Sequence, residues 1–121
     1  MDSGKAIILL GHGSRDPLWR QPMEAVAQRI QQAQPTLPVR CAYLELEQPD
    51  FATAAAELVA LGARNITVAP MFLGTGRHAR EDLPKLLETA RSAHPKATFE
   101  MQPTVGQNED LLDLLAKITM A

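Results

Sequence analysis

Four times along this chain a short, nearly unbroken apolar run gives way to a segment whose apolar residues recur at helical spacing. The runs at residues 5–10, 39–44, 65–73 and 98–102 are strand-sized and too continuous for strands with one face in water. After the first, Leu18, Met23, Val26, Ala27, Ile30 and Ala33 mark a helix over residues 19–34, with Pro22 in its first turn and its end before Pro35. After the second, Pro49 and Asp50 open a helix with Phe51, Ala54, Ala55, Leu58 and Leu61 on its inner face, stopped by Gly62. The third helix carries Leu83, Leu86, Leu87 and Ala90, with Asp82 near its start and Pro84 in its first turn, and ends at His94-Pro95. Asn108, Glu109 and Asp110 cap the last, faced by Leu111, Leu114, Leu115 and Ile118. This alternation predicts an α/β fold: a three-layer sandwich whose four-stranded parallel sheet has helices on both faces, because each right-handed crossover must return over the sheet.

At 121 residues the expectation is a single domain, residues 1–121, with one core and no cleft between lobes. Apolar residues make up 45% and charged residues 21%, and no apolar run is long enough to span a membrane. The first residues lack a basic region followed by a long apolar stretch, so the chain is expected in the cytoplasm. Cys41 is the only cysteine, which excludes an internal disulfide and a CxxC site, and its apolar setting assigns it to the core. A net charge of −2 gives no reason to expect nucleic acid or an anionic membrane as partner.

In a parallel sheet all strand exits share one edge, and ligands bind in the crevice there. His12 sits between Gly11 and Gly13 at the first exit, Glu45 follows the second strand, and His78 follows the third in a loop holding Gly74 and Gly76. Two neutral imidazoles and one carboxylate suit Co²⁺, Ni²⁺, Fe²⁺ or Zn²⁺, and they leave coordination positions open for a substrate or for handing the metal on. The plainer reading of His12 is a turn histidine that hydrogen-bonds its own loop. His94 fits the negative end of the third helix, Trp19 fits packing, Asp82 fits a helix cap, and Glu47 ranks behind Glu45.

The segments LLGHGSRDP at 9–17, YLELEQP at 43–49 and PMFLGTGRHAREDLP at 70–84 closely resemble those of the short, single-domain CbiX-type sirohydrochlorin cobaltochelatases, in the same order and spacing. The third segment reads Gly76-Arg77-His78 where Gly-Gly-His is the family's commoner form. The resemblance implies a chelatase-like fold and ATP-independent insertion of a divalent metal into sirohydrochlorin, with no organic cofactor. Co²⁺ is the first expectation, with Ni²⁺ and Fe²⁺ as alternatives. It further implies that His12 and His78 bind the metal and that Glu45 is the acidic residue of the site. Insertion removes two pyrrole N–H protons, so a base is needed on the metal's path. Sirohydrochlorin carries carboxylates, for which Ser14, Arg15, Arg77 and Arg80 in the two histidine loops are the expected partners, although Arg80 is also placed to pair with Glu81 or Asp82. One lobe leaves a flat tetrapyrrole exposed on one side, and longer relatives are built from two such halves, so a homodimer is expected. Two other readings compete: a metal or tetrapyrrole carrier without turnover, and phosphoryl transfer on His12. Histidine phosphatases carry an arginine just before their histidine, whereas Leu10-Gly11 stands here.

Overall fold

The structure, a computed structural model, describes residues 4–121. In chain order its elements are β1 (Lys5–Gly11), α1 (Gln21–Ala33), β2 (Val39–Tyr43), α2 (Phe51–Ala60), β3 (Asn65–Pro70), α3 (Arg77–Ala93), β4 (Thr98–Met101), a 3₁₀ turn (Val105–Gln107) and α4 (Glu109–Met120). The strands form one parallel sheet in the order β2-β1-β3-β4.

From β1 the chain steps outward to β2, then crosses back to β3 and on to β4. Right-handed crossovers in opposite directions put their helices on opposite faces. Phe51, Ala54 and Leu58 of α2 and Leu83, Leu87 and Ala90 of α3 accordingly share one core cluster with Ile8, Leu10, Ile66, Val68 and Phe99 of the sheet. Met23 of α1, with Val26, Ala27 and Ile30, packs on the other face against Leu9, Val39, Tyr43 and Ala69. The adjacent strands β1 and β3 thus send their following helices to opposite sides, and the diverging loops leave a crevice at the carboxyl end of the sheet.

Local chemistry sets the helix ends. The Asp50 carboxylate accepts the Thr53 N–H at 2.8 Å, which caps α2, and hydrogen bonding from the Thr53 side chain and then its backbone lowers the Asp50 pKa from its ordinary value. Asn108 Oδ1 accepts the Leu111 N–H at 3.0 Å and caps α4. Gly62, at φ +99°, turns the chain out of α2.

Several expectations change. Leu18 lies in the turn ahead of α1 and is 65% exposed, and Leu61 falls just past the last turn of α2 at 58%. Cys41 is half-buried, because β2 is an edge strand; burial still pushes its thiol up to about 11. α3 starts at Arg77, so His78 belongs to a helix and Pro84 to that helix's interior, and the capping position is Gly76 rather than Asp82. Pro84 has no N–H to offer the Arg80 carbonyl, but Leu83 and Leu87 beside it are buried, so packing holds the helix. α4 buries none of its residues and leans chiefly on the 3₁₀ turn, with Leu114 and Ile118 exposed. Among the described residues no helix is long and apolar enough to cross a membrane.

Candidate functional site

The β1–β2 pairing continues beyond the strands themselves. Leu44 N–H donates to the Gly11 carbonyl at 3.0 Å and Glu45 N–H to the His12 carbonyl at 3.1 Å, so the first two loops leave the sheet joined. That register sets His12 Nε2 3.3 Å from Glu45 Oε1, with the side chains 58% and 59% exposed. Gly13 makes the approach possible: its φ is +107°, and a Cβ there would collide with the Glu45 carbonyl oxygen. From the β3 side Phe72 meets the His12 ring edge-on, with centroids 6.3 Å apart.

After Glu45 the strand pattern breaks. Leu46 adopts φ +66°, and Glu47 N–H closes a three-residue turn onto the Glu45 carbonyl at 2.8 Å. Strand alternation would point Glu45 and Glu47 the same way, whereas the turn separates them. The Glu47 side chain is only 5% exposed; it accepts the Ser14 N–H at 2.9 Å and an Arg20 Nη1 bond at 3.2 Å, and this bond raises the Arg20 pKa. Glu47 therefore braces the His12 loop from behind.

His78 is the second residue of α3, one residue ahead of the buried Ala79 that seats the first turn. Asp82 and Lys85 follow at the fourth and seventh positions after it, on one helix face. His12, Glu45, His78, Asp82 and Lys85 line a single cavity of about 510 Å³. Its apolar wall is Leu44, Ala79 and Leu86. Among the described residues no three His, Cys, Asp or Glu side chains group closely enough to cage a metal ion. The cavity brings imidazole and carboxylate groups to the walls of one space, which suits an ion met from the side and passed on rather than an ion locked in place.

The four residues expected to hold substrate carboxylates do not line this cavity. Ser14 Oγ accepts the Asp16 N–H at 3.1 Å within its own loop, and Arg15 is exposed beside it. Arg77 Nε meets Glu81 Oε1 at 3.3 Å in solvent. Arg80 pairs with neither Glu81 nor Asp82; it donates to the Thr75 carbonyl at 2.8 Å and borders a neighbouring cavity of about 530 Å³ that also includes Leu73 and Gln107. His94 ends α3 against Phe99, at a cavity containing Arg64 and Lys96 at the far end of the sheet. Trp19 packs against Tyr43.

Sequence reasoning weighed Asp82 as a site residue but ranked capping ahead of that role, and it did not single out Lys85. Their spacing from His78 carries the signal, but only once α3 is known to start at Arg77.

Residues 6–119 match the family model for CbiX. The sirohydrochlorin cobaltochelatase of Methanopyrus kandleri is 35% identical over 82 residues, which cover 68% of this chain and 57% of that relative. The chain thus spans little more than half of that relative's length. Among solved structures, a CbiX protein from Marinobacter aquaeolei VT8 superposes with TM-score 0.84 at 30% identity, covering 96% of this chain and 94% of the other. The sirohydrochlorin chelatase SirB from Bacillus subtilis subspecies spizizenii, in complex with cobalt, superposes with TM-score 0.74 at 30% identity, covering 93% of this chain and 48% of that one. With nearly its whole length inside the family model and its fold reproduced at full coverage, the chain belongs to the CbiX family.

Proposed function

We propose that this chain inserts a divalent metal ion into sirohydrochlorin in the cytoplasm, with Co²⁺ the first candidate and Ni²⁺ and Fe²⁺ the alternatives. The observation that carries the reading is the pairing of His12 with Glu45 on the wall of the cavity that also takes His78. The metal named for the Bacillus subtilis relative and the substrate named for the Methanopyrus kandleri relative agree with it.

The roles divide by partner. His12 stands 3.3 Å from the Glu45 carboxylate, which can orient its ring, and we assign it the acceptance of a pyrrole proton. When Nε2 donates to Glu45, Nδ1 holds the lone pair that takes the proton. Among the described residues His78 has no such pairing, and we assign it the role of a neutral ligand to the metal ion. Imidazole binds cobalt, nickel and iron alike, so cellular supply decides among them. Ser14, Arg15, Arg77 and Arg80 do not line the cavity, and we assign them to carboxylates on the rim of a large macrocycle rather than at its centre.

One lobe covers one side of such a macrocycle, and we place a second copy on the other side, as a homodimer. The exposed apolar residues of α4 support association with a second copy: Leu112, Leu114, Ile118 and Met120 find no cover among the described residues.

Anaerobic mixing with excess sirohydrochlorin and Co²⁺, followed by absorption, tests the proposal. More than one equivalent of metallated product per protein is expected. A single equivalent identifies a carrier, and phosphate release from a generic phosphomonoester without metal insertion identifies the phosphoryl-transfer reading.

A further inference from the structure

Leu46 carries two costs that nothing among the described residues offsets. A branched side chain at φ +66° holds a backbone conformation that such residues rarely adopt, and 55% of the residue is exposed. The turn it centres has a structural use, since it separates Glu45 from Glu47. That use explains the backbone and leaves the side chain unexplained, because glycine or asparagine makes the same turn with less strain. Leu46 is also not alone. Leu18 in the loop after β1 is 65% exposed, and Leu73 in the loop after β3 is 66% exposed. Each loop leaving β1, β2 and β3 at this edge therefore displays one uncovered leucine. Outside these loops, the large exposed apolar residues among the described residues are Leu61 and those of α4.

We propose that Leu46 is a specificity-determining contact for the flat apolar face of the tetrapyrrole, with Leu18 and Leu73 as outer supports. This inference rests on the chelatase reading. Leu46 directly follows Leu44 and Glu45, which both line the cavity, and the Glu45 carboxylate pairs with His12. The neighbouring cavity wall of Leu44, Ala79 and Leu86 continues the apolar surface inward. A macrocycle with an apolar centre and carboxylates at its rim matches a cavity with an apolar wall beside the imidazoles and loop arginines outside its lining. The left-handed turn keeps Leu46 at the surface, where strand alternation would have laid it against the sheet.

The test compares wild type, Leu46→Asn and Leu46→Met. Asparagine tolerates the left-handed conformation and removes the apolar contact; methionine restores the contact with a different shape. The readouts are absorption titration with metal-free sirohydrochlorin, steady-state Co²⁺ insertion, thermal melting and sedimentation. Leu46→Asn is expected to weaken tetrapyrrole binding and raise its KM by about tenfold, the loss that goes with one partly buried aliphatic side chain. Its kcat, its KM for Co²⁺ and its melting temperature are expected to hold, and Leu46→Met is expected to return the tetrapyrrole KM to near wild type. Wild-type tetrapyrrole affinity in Leu46→Asn overturns the inference. So does a fall in kcat at unchanged KM, which assigns the residue to the positioning of Glu45. Dissociation of a dimer at unchanged tetrapyrrole affinity assigns it to contact between copies. Wild type that binds no tetrapyrrole defeats the chelatase reading together with this one, whereas wild type that inserts metal as well as Leu46→Asn does defeats this one alone.

Discussion

Gly13 is the residue on which the geometry of the site turns. It lets the His12 loop lie against the Glu45 backbone, at φ +107° and with no room for a Cβ. Gly13→Ala is expected to lower stability by about 1–3 kcal/mol from backbone strain alone. It must also push the first loop off the second, so metal insertion is expected to fall far more than stability does. Urea unfolding and the insertion assay on one preparation check this; a variant that loses stability but keeps full activity contradicts it. Residue types at this scale were legible. His12 and Glu45 read from sequence as strand-exit groups and stand 3.3 Å apart. The separate fate of Glu47 was not legible, because an unbroken strand would have pointed it with Glu45, and the turn at Leu46 gives no sequence signal when its centre is leucine rather than glycine.

At the scale of elements, caps decided where sequence reading succeeded and where it failed. Asp50 announced α2 correctly. Its carboxylate is ionised more readily in the folded chain than in the unfolded one, so its contribution is whole above the ordinary aspartate range and is lost as pH falls through its lowered folded value. Asp50→Ala is therefore expected to cost about 0.5–2 kcal/mol near neutral pH, with the difference from wild type shrinking in acid. Chemical denaturation at two pH values measures it, and an equal loss at both contradicts the assignment. α3 misled because proline is so often a first-turn residue that Pro84 drew the predicted start toward itself. The true start at Gly76 has no capping side chain to mark it. The six-residue displacement of the cap, from Gly76 to Asp82, hid the face on which His78, Asp82 and Lys85 meet the cavity.

For the whole molecule, strand order made the crevice, and the alternation of strands and helices was enough to predict the parallel sheet. The same pattern placed α4 over the sheet like its predecessors, and there it fell short. A helical period shows that one face is apolar without showing what covers it, and Leu114 and Ile118 are 51% and 62% exposed. A second copy is the cover proposed here. Sedimentation at micromolar concentration is expected to give a dimer for wild type and a monomer of unchanged helix content for the double variant Leu114→Glu, Ile118→Glu. A monomeric wild type contradicts the proposal.

The account stands on two imidazoles, from the loop after β1 and the start of α3, serving one metal ion at one cavity. Anaerobic insertion of Co²⁺ into sirohydrochlorin by wild type, His12→Ala and His78→Ala measures this directly. Loss of the base is expected to slow His12→Ala by about 10²–10⁴ at saturating metal, whereas His78→Ala is expected to need far more Co²⁺ to reach its rate. Three proteins with equal rates at every metal concentration would contradict the account.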